Sequence, residues 1–131
     1  MNLLLDTHAL VWWIENNRRL GKRARATIQN DASTVWISAA TIWEISIKAA
    51  IGRLDVQSAF ERALPAEMER SGFREMPVAF AHAYAVRHLP LHHADPFDRM
   101  LIAQAQCEGL TLLTADSQFA AYSVPILDAS Q

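Results

Sequence analysis

The chain has 131 residues, a common size for one domain, with 51% hydrophobic side chains and only four glycines and five prolines; this composition argues against disorder and against a fibrous repeat. A lone cysteine, Cys107, excludes an internal disulfide and a cysteine-rich zinc site; with no membrane-length apolar run and no basic leader, the expected compartment is the cytoplasm. The formal charge of −2 reflects fourteen acids against twelve Lys and Arg, so setting aside the four acids singled out below leaves a mildly basic shell around an acidic centre.

Asn2 to Leu5 has the length and apolarity of a buried strand, and Thr7 to Asn16 is rich in Ala, Leu and Trp, as a helix requires. A second helix is predicted from Leu20 to Asn30. Turn residues Asn30 to Ser33 then lead into the β-branched and aromatic strand Thr34 to Ile37. Ser38 is placed to cap a helix over Ala39 to Ala50, which Gly52 closes and whose dipole Lys48 complements. Helix is predicted again from Asp55 to Arg70 with a break at Pro65, then a short strand from Phe73 to Met76 and a helix from Val78 to His88.

Leu89 to His93 reads as a loop. Asp95-Pro96-Phe97-Asp98 supplies an N-cap, a proline at the first helical position and an acid at the third, opening a helix that runs to Cys107 or Glu108 and stops at Gly109. Leu110 to Leu113 and Val124 to Leu127 are predicted strands, with a short helix over Ser117 to Ala121 between them. Strands alternating with helices define an α/β domain spanning residues 1–131, with a mainly parallel sheet of four to five strands and helices on both faces.

In such sheets ligands bind beyond the carboxyl ends of the strands. Asp6 follows the first strand directly, and Asp116 follows Leu110 to Leu113 after Thr114 and Ala115, so both face that edge. For each, a simple helix N-cap is the competing explanation. Asp98 shares a helical stripe with Ile102 and Ala105, which turns it inward rather than toward solvent. Glu44 sits in a largely apolar helix; its plain alternative is an i,i+4 pair with Lys48, worth about 0.2–0.5 kcal/mol on an exposed face. Asp95 is explained by its capping role and is kept only as a neighbour of the site. Four carboxylates suit Mg²⁺ or Mn²⁺, hard ions that take oxygen ligands and lower the pKa of a bound water for attack on phosphorus.

These segments resemble PIN-domain ribonucleases, in particular VapC-like toxins of type II toxin–antitoxin pairs. The resemblance spans nearly the whole chain and is carried by Leu3 to Leu10, Ser38 to Glu44, Asp95 to Ala105 and Leu113 to Asp116. It implies that Asp6, Glu44, Asp98 and Asp116 bind Mg²⁺ or Mn²⁺ and support endonucleolytic RNA cleavage to 5′-phosphate and 3′-hydroxyl ends. It also implies a homodimer silenced by a cognate VapB-like antitoxin. The pattern leaves Asp95 and Asp98 as alternatives in the third motif, and the helical stripe favours Asp98. Thr7 and Thr114 are candidates to hydrogen-bond these carboxylates.

Several other features invite a role. Ala9 to Ile14 is apolar all round, as expected of a helix covered either by a partner or by its own core. Arg18, Arg19, Lys22, Arg23 and Arg25 form a basic run that either grips phosphates or is simply solvated, and Arg99 is better placed for RNA. His8, His92 and His93 are expected to face solvent rather than build a transition-metal site, and Cys107 is expected in the core. Two rival functions remain. A phosphatase with an Asp6 nucleophile lacks its usual second acid, since His8 stands there, and a non-catalytic RNA- or protein-binding domain would need no set of four acids.

Overall fold

The computed structural model describes residues 1–54 and 60–131. Its strands are β1 (Asn2–Leu5), β2 (Thr34–Ser38), β3 (Arg74–Met76), β4 (Thr111–Thr114) and β5 (Ile126–Asp128). They form one sheet in the order β3-β2-β1-β4-β5, with every pairing parallel. The chain builds outward from β1 to β2 and β3, then returns to add β4 and β5 on the other side. That reversal puts a topological switch point between β1 and β4, where the connections leave the sheet in opposite directions and open a crevice.

The six helices among the described residues are α1 (Thr7–Ile14), α2 (Lys22–Gln29), α3 (Ala39–Ala50), α4 (Phe60–Ser71), α5 (Phe80–Val86) and α6 (Pro96–Glu108). Period-two alternation along β1 divides the core. Leu3 and Leu5 pack with Leu10, Ala24, Val35, Ile37, Phe60 and Leu113 on one face, under α1, α2 and α4. Leu4 points the other way and joins Leu101, Ile102, Leu112 and Phe119 beside α5 and α6. Burial on both faces explains why Leu3, Leu4 and Leu5 of β1 and Leu112 and Leu113 of β4 follow one another without a polar residue between them.

Local chemistry sets the element ends. The Ser38 side chain accepts from Ala40 N (3.0 Å) to start α3, and Asp95 Oδ1 accepts from Phe97 N (2.8 Å) and Asp98 N (3.0 Å) to start α6. Gly109 ends α6 at φ +68°, a left-handed conformation that favours glycine.

The structure moves several predicted boundaries. Helix α1 stops at Ile14 because Asn16 takes φ +51°, and α2 begins after Gly21, leaving Leu20 in the core as an anchor. The fourth and fifth strands lie one to two residues later than their apolar runs suggest, since Leu110 and Val124 pack before the ladder begins. Of the stretch predicted helical from Asp55, residues 55–59 lie outside the described residues; from Phe60 the helix runs through Pro65 without breaking. Proline removes the hydrogen bond to the carbonyl four residues back and crowds that carbonyl with its ring, but Phe60, Leu64 and Met68 hold α4 to the core on both sides of it.

The apolar surplus of Ala9 to Ile14 is used internally. Ala9, Leu10 and Val11 are buried, and Trp12, Trp13 and Ile14 are half-buried against the same core. Trp13 meets Phe73 in a tilted ring contact and donates from Nε1 to Glu67 Oε1 (2.9 Å). Cys107 is exposed rather than buried, because it falls on the last turn of α6, past the covered stretch Leu101–Ala105. Among the described residues no helix is long and apolar enough to cross a membrane.

Candidate active site

The crevice at the switch point gathers acids from four separate segments. Asp6 directly follows β1 and hydrogen-bonds through its backbone N–H to Leu113 O of β4 (3.1 Å), which ties the two strand ends together. Its carboxylate is divided between two tasks: Oδ1 accepts from Ala9 N (2.9 Å) as the N-cap of α1, while Oδ2 accepts from the Thr114 hydroxyl (2.5 Å). Asp116 is similarly divided, with Oδ1 capping the 3₁₀ turn Ser117–Ala121 through Gln118 N (2.9 Å) and Oδ2 turned toward the crevice. Capping and a site role are therefore not alternatives for these two residues, since each uses one oxygen for the cap.

Glu44 comes from α3 and is only 5% exposed. The Thr7 hydroxyl donates to its Oε1, and Lys48 pairs with its Oε2. The predicted i,i+4 pair thus exists, but at a buried carboxylate, where it offsets desolvation rather than adding a few tenths of a kcal/mol at a surface. Lys48 also lies 3.8 Å from Asp95 Oδ2, and its ammonium stands over the Phe97 ring.

Asp98, at the third position of α6, is the electrostatic centre. Burial, then the charges of Asp95, Glu44, Asp6 and Asp116 in that order, push its carboxyl up to about 8. Burial also raises Asp6, against the opposing pull of Thr114, the Ala9 N–H and His8. The donor set is oxygen-rich, and its four acids face Lys48 as the paired cation, which fits a hard divalent cation.

Three predictions about neighbouring residues need correction. His93 is not solvent-facing: its Nε2 lies 2.9 Å from Asp98 Oδ2 and 3.4 Å from Asp116 Oδ2, and these three side chains form a cluster whose ligand atoms all lie within 4.8 Å of one another. Arg99 is not an RNA-facing cation. It is buried, and its guanidinium donates to the carbonyls of Val86 (3.0 Å), Leu89 (3.2 Å) and Pro90 (2.8 Å), knitting together the loop that carries His93. Arg25 is likewise committed, bonding Asn17 O and standing over Trp13, whereas Arg18, Arg19, Lys22 and Arg23 are exposed. His8 and His92 are exposed, as expected. The one signal that could have marked His93 is its place two residues before a capping aspartate, where a ring nitrogen can accept from that aspartate's backbone N–H.

A sequence profile of the PIN domain matches residues 3–125, and the chain belongs to that family. Its fold is similar to VapBC2 from Rickettsia felis, solved bound to a DNA fragment from its promoter, at 14% identity and TM-score 0.74 over 97% of this chain and 98% of that one. DNA-bound VapBC from Salmonella typhimurium (19% identity, TM-score 0.70, 98% of each chain) and FitAcB from Neisseria gonorrhoeae (21%, TM-score 0.66, 97% of each) are also similar. At such identities the likeness is one of fold. No curated protein matches the chain. PIN domains are generally nucleases, and an acidic cluster stands where the sheet opens.

Proposed function

We propose that this protein is a metal-dependent endoribonuclease, the toxin of a type II toxin–antitoxin pair, with Asp6, Glu44, Asp98 and Asp116 as the residues that hold Mg²⁺ or Mn²⁺. The observation that carries the reading is the convergence of these acids, from β1, α3, α6 and the segment after β4, around Asp98 at the switch point. Isolated surface carboxylates would not be buried, and then crowded by four other acids, until one is pushed up to about 8. When bound, a divalent cation supplies the lowered water pKa and the charge neutralisation that phosphodiester hydrolysis needs. The chain's own residues do the rest. Thr114 and Thr7 orient the Asp6 and Glu44 carboxylates, Lys48 holds Glu44 from its other oxygen, and exposed Arg18, Arg19, Lys22 and Arg23 add salt-sensitive attraction for the RNA backbone.

Partner assignments follow the same reading. Trp43 and Ile47 on α3, the helix that carries Glu44, and Ile51 at its C-cap form an exposed apolar stripe, and an amphipathic antitoxin segment laid there would cover the crevice. Phe80, Tyr84 and Leu91 are exposed as well and suit the contact of a homodimer. A cytoplasmic location agrees with an RNA substrate.

The test is cleavage of a mixed RNA pool by purified, antitoxin-free protein with Mg²⁺, Mn²⁺ or EDTA, beside Asp6→Asn and Asp98→Asn. Metal-dependent cutting lost in both variants is expected. No cutting by folded protein under any condition would instead favour a non-catalytic RNA- or protein-binding domain.

A further inference from the structure

His93 reaches the acidic crevice from the loop ahead of α6, and its surroundings fix which ring nitrogen carries the proton. Its backbone N–H donates to Tyr122 Oη (2.8 Å), and its ring stands edge-on to Phe119 at 5.8 Å. Tyr122 Oη in turn donates to Pro90 O (2.8 Å), an oxygen it shares with Arg99. The imidazole is therefore held from the backbone, the face and the loop behind it.

Nδ1 lies 3.2 Å from the backbone N of Asp95. A backbone N–H can only donate, so Nδ1 presents its lone pair there, and in the neutral ring the proton resides on Nε2. That is the nitrogen facing Asp98 Oδ2 and Asp116 Oδ2. A metal-ligating imidazole shows the reverse polarity, with a lone pair toward the ion and the other nitrogen's N–H donated to a carbonyl or carboxylate. Although His93, Asp98 and Asp116 are spaced like a three-ligand site, the hydrogen-bond directions favour a different role.

We propose that His93 is a positioning residue and not a metal ligand: its Nε2–H bridges Asp98 and Asp116 and holds these two carboxyl groups in place for a divalent cation. The proposal rests on the nuclease reading above. Asp95 is the pivot of the arrangement. Its N–H sets the polarity of the ring while its carboxylate starts α6, so one residue orients both Asp98 and the group that steadies it.

Two measurements on the full chain test this. In ¹⁵N-labelled protein, with the ring assigned by comparison with His93→Gln, long-range proton–nitrogen spectra should place the His93 proton on Nε2 both without and with Mg²⁺. A proton on Nδ1, or one that moves there when Mg²⁺ is added, would make His93 a ligand and overturn the proposal. Separately, Mn²⁺ affinity read by electron paramagnetic resonance should fall about 10- to 100-fold in His93→Leu and be largely recovered in His93→Gln, whose amide N–H can stand in for Nε2–H. Binding by His93→Leu equal to wild type would overturn the bridge while leaving the nuclease reading intact. Failure of the wild-type protein to bind either ion would overturn the nuclease reading, and the bridge's role with it.

Discussion

Arg99 offers the sharpest test of how the site is supported, because the sequence places it beside Asp98 as an RNA contact and the structure buries it beneath the His93 loop. Arg99→Met keeps the length and apolar stem but removes every donor. Leu89 O then loses the guanidinium, whereas Val86 O keeps Leu89 N (3.2 Å) and Pro90 O keeps Tyr122 Oη (2.8 Å). An orphaned buried carbonyl costs about 1–3 kcal/mol, and hydrogen bonds to a charged group are worth about 1.5–3 kcal/mol each. Against this stands relief of the guanidinium's own desolvation, which is several kcal/mol. The net expectation is a loss of about 2–4 kcal/mol, well above the ~0.5 kcal/mol typical of an exposed side chain, and a fall in Tm of about 10 °C. Arg99→Lys should recover little, since a single ammonium cannot serve three divergent carbonyls. Urea and thermal unfolding followed by circular dichroism read the loss directly. A change below about 0.5 kcal/mol, together with weaker RNA binding and a shallower salt dependence, would refute the reasoning and return Arg99 to phosphate contact.

Stability should also depend on Glu67 in acid. Burial works to raise its pKa, but hydrogen bonds from Ser71, Arg70 and Trp13 outweigh that and hold it below the usual glutamate value of 4.5. A lowered folded pKa contributes stability that is present above the unfolded value and lost as pH falls through the folded one. Glu67→Gln should therefore be less stable than wild type at neutral pH, with the gap closing below pH 4.5; urea midpoints that stay equally separated down to about pH 3 would show that the charge of Glu67 contributes nothing. At the end of α6, Gly109→Ala meets no atom within 4 Å of the added Cβ, so its cost is purely that of φ +68°, about 1 kcal/mol. Unchanged stability there would mean that the helix end can be rebuilt without a left-handed residue.

How far the sequence could be read depended on whether a residue's role is set locally. Asp6 and Asp116 were legible because an acid just past a buried parallel strand must face the carboxyl edge of the sheet, wherever the rest of the chain goes. Ser38, Asp95 and Gly109 were legible for a similar reason, since caps are decided within one turn of helix. The first strand was found to the residue, while β4 and β5 were placed early because Leu110 and Val124 are as apolar as the ladder that follows them. Apolarity reports burial, and burial begins before pairing does.

His93 and Arg99 were misread for the opposite reason. Neither has a role that its neighbours in sequence can define. Arg99 is six residues beyond His93, yet the carbonyls it binds at Val86, Leu89 and Pro90 turn it from a surface cation into the strut of the preceding loop. That strut, with Tyr122 arriving from beyond β4, fixes where the backbone of His93 can lie. Only then does the ring reach Asp98 and Asp116. Asp6 and Asp116 are specified by strand ends and Asp98 by a helix start, but the spacing between Asp98 and Asp116 depends on a loop held from three distant places. Disturbing the loop should therefore loosen the acidic site without touching an acid, which is why unfolding of Arg99→Met and the ring polarity of His93 probe one support from its two ends.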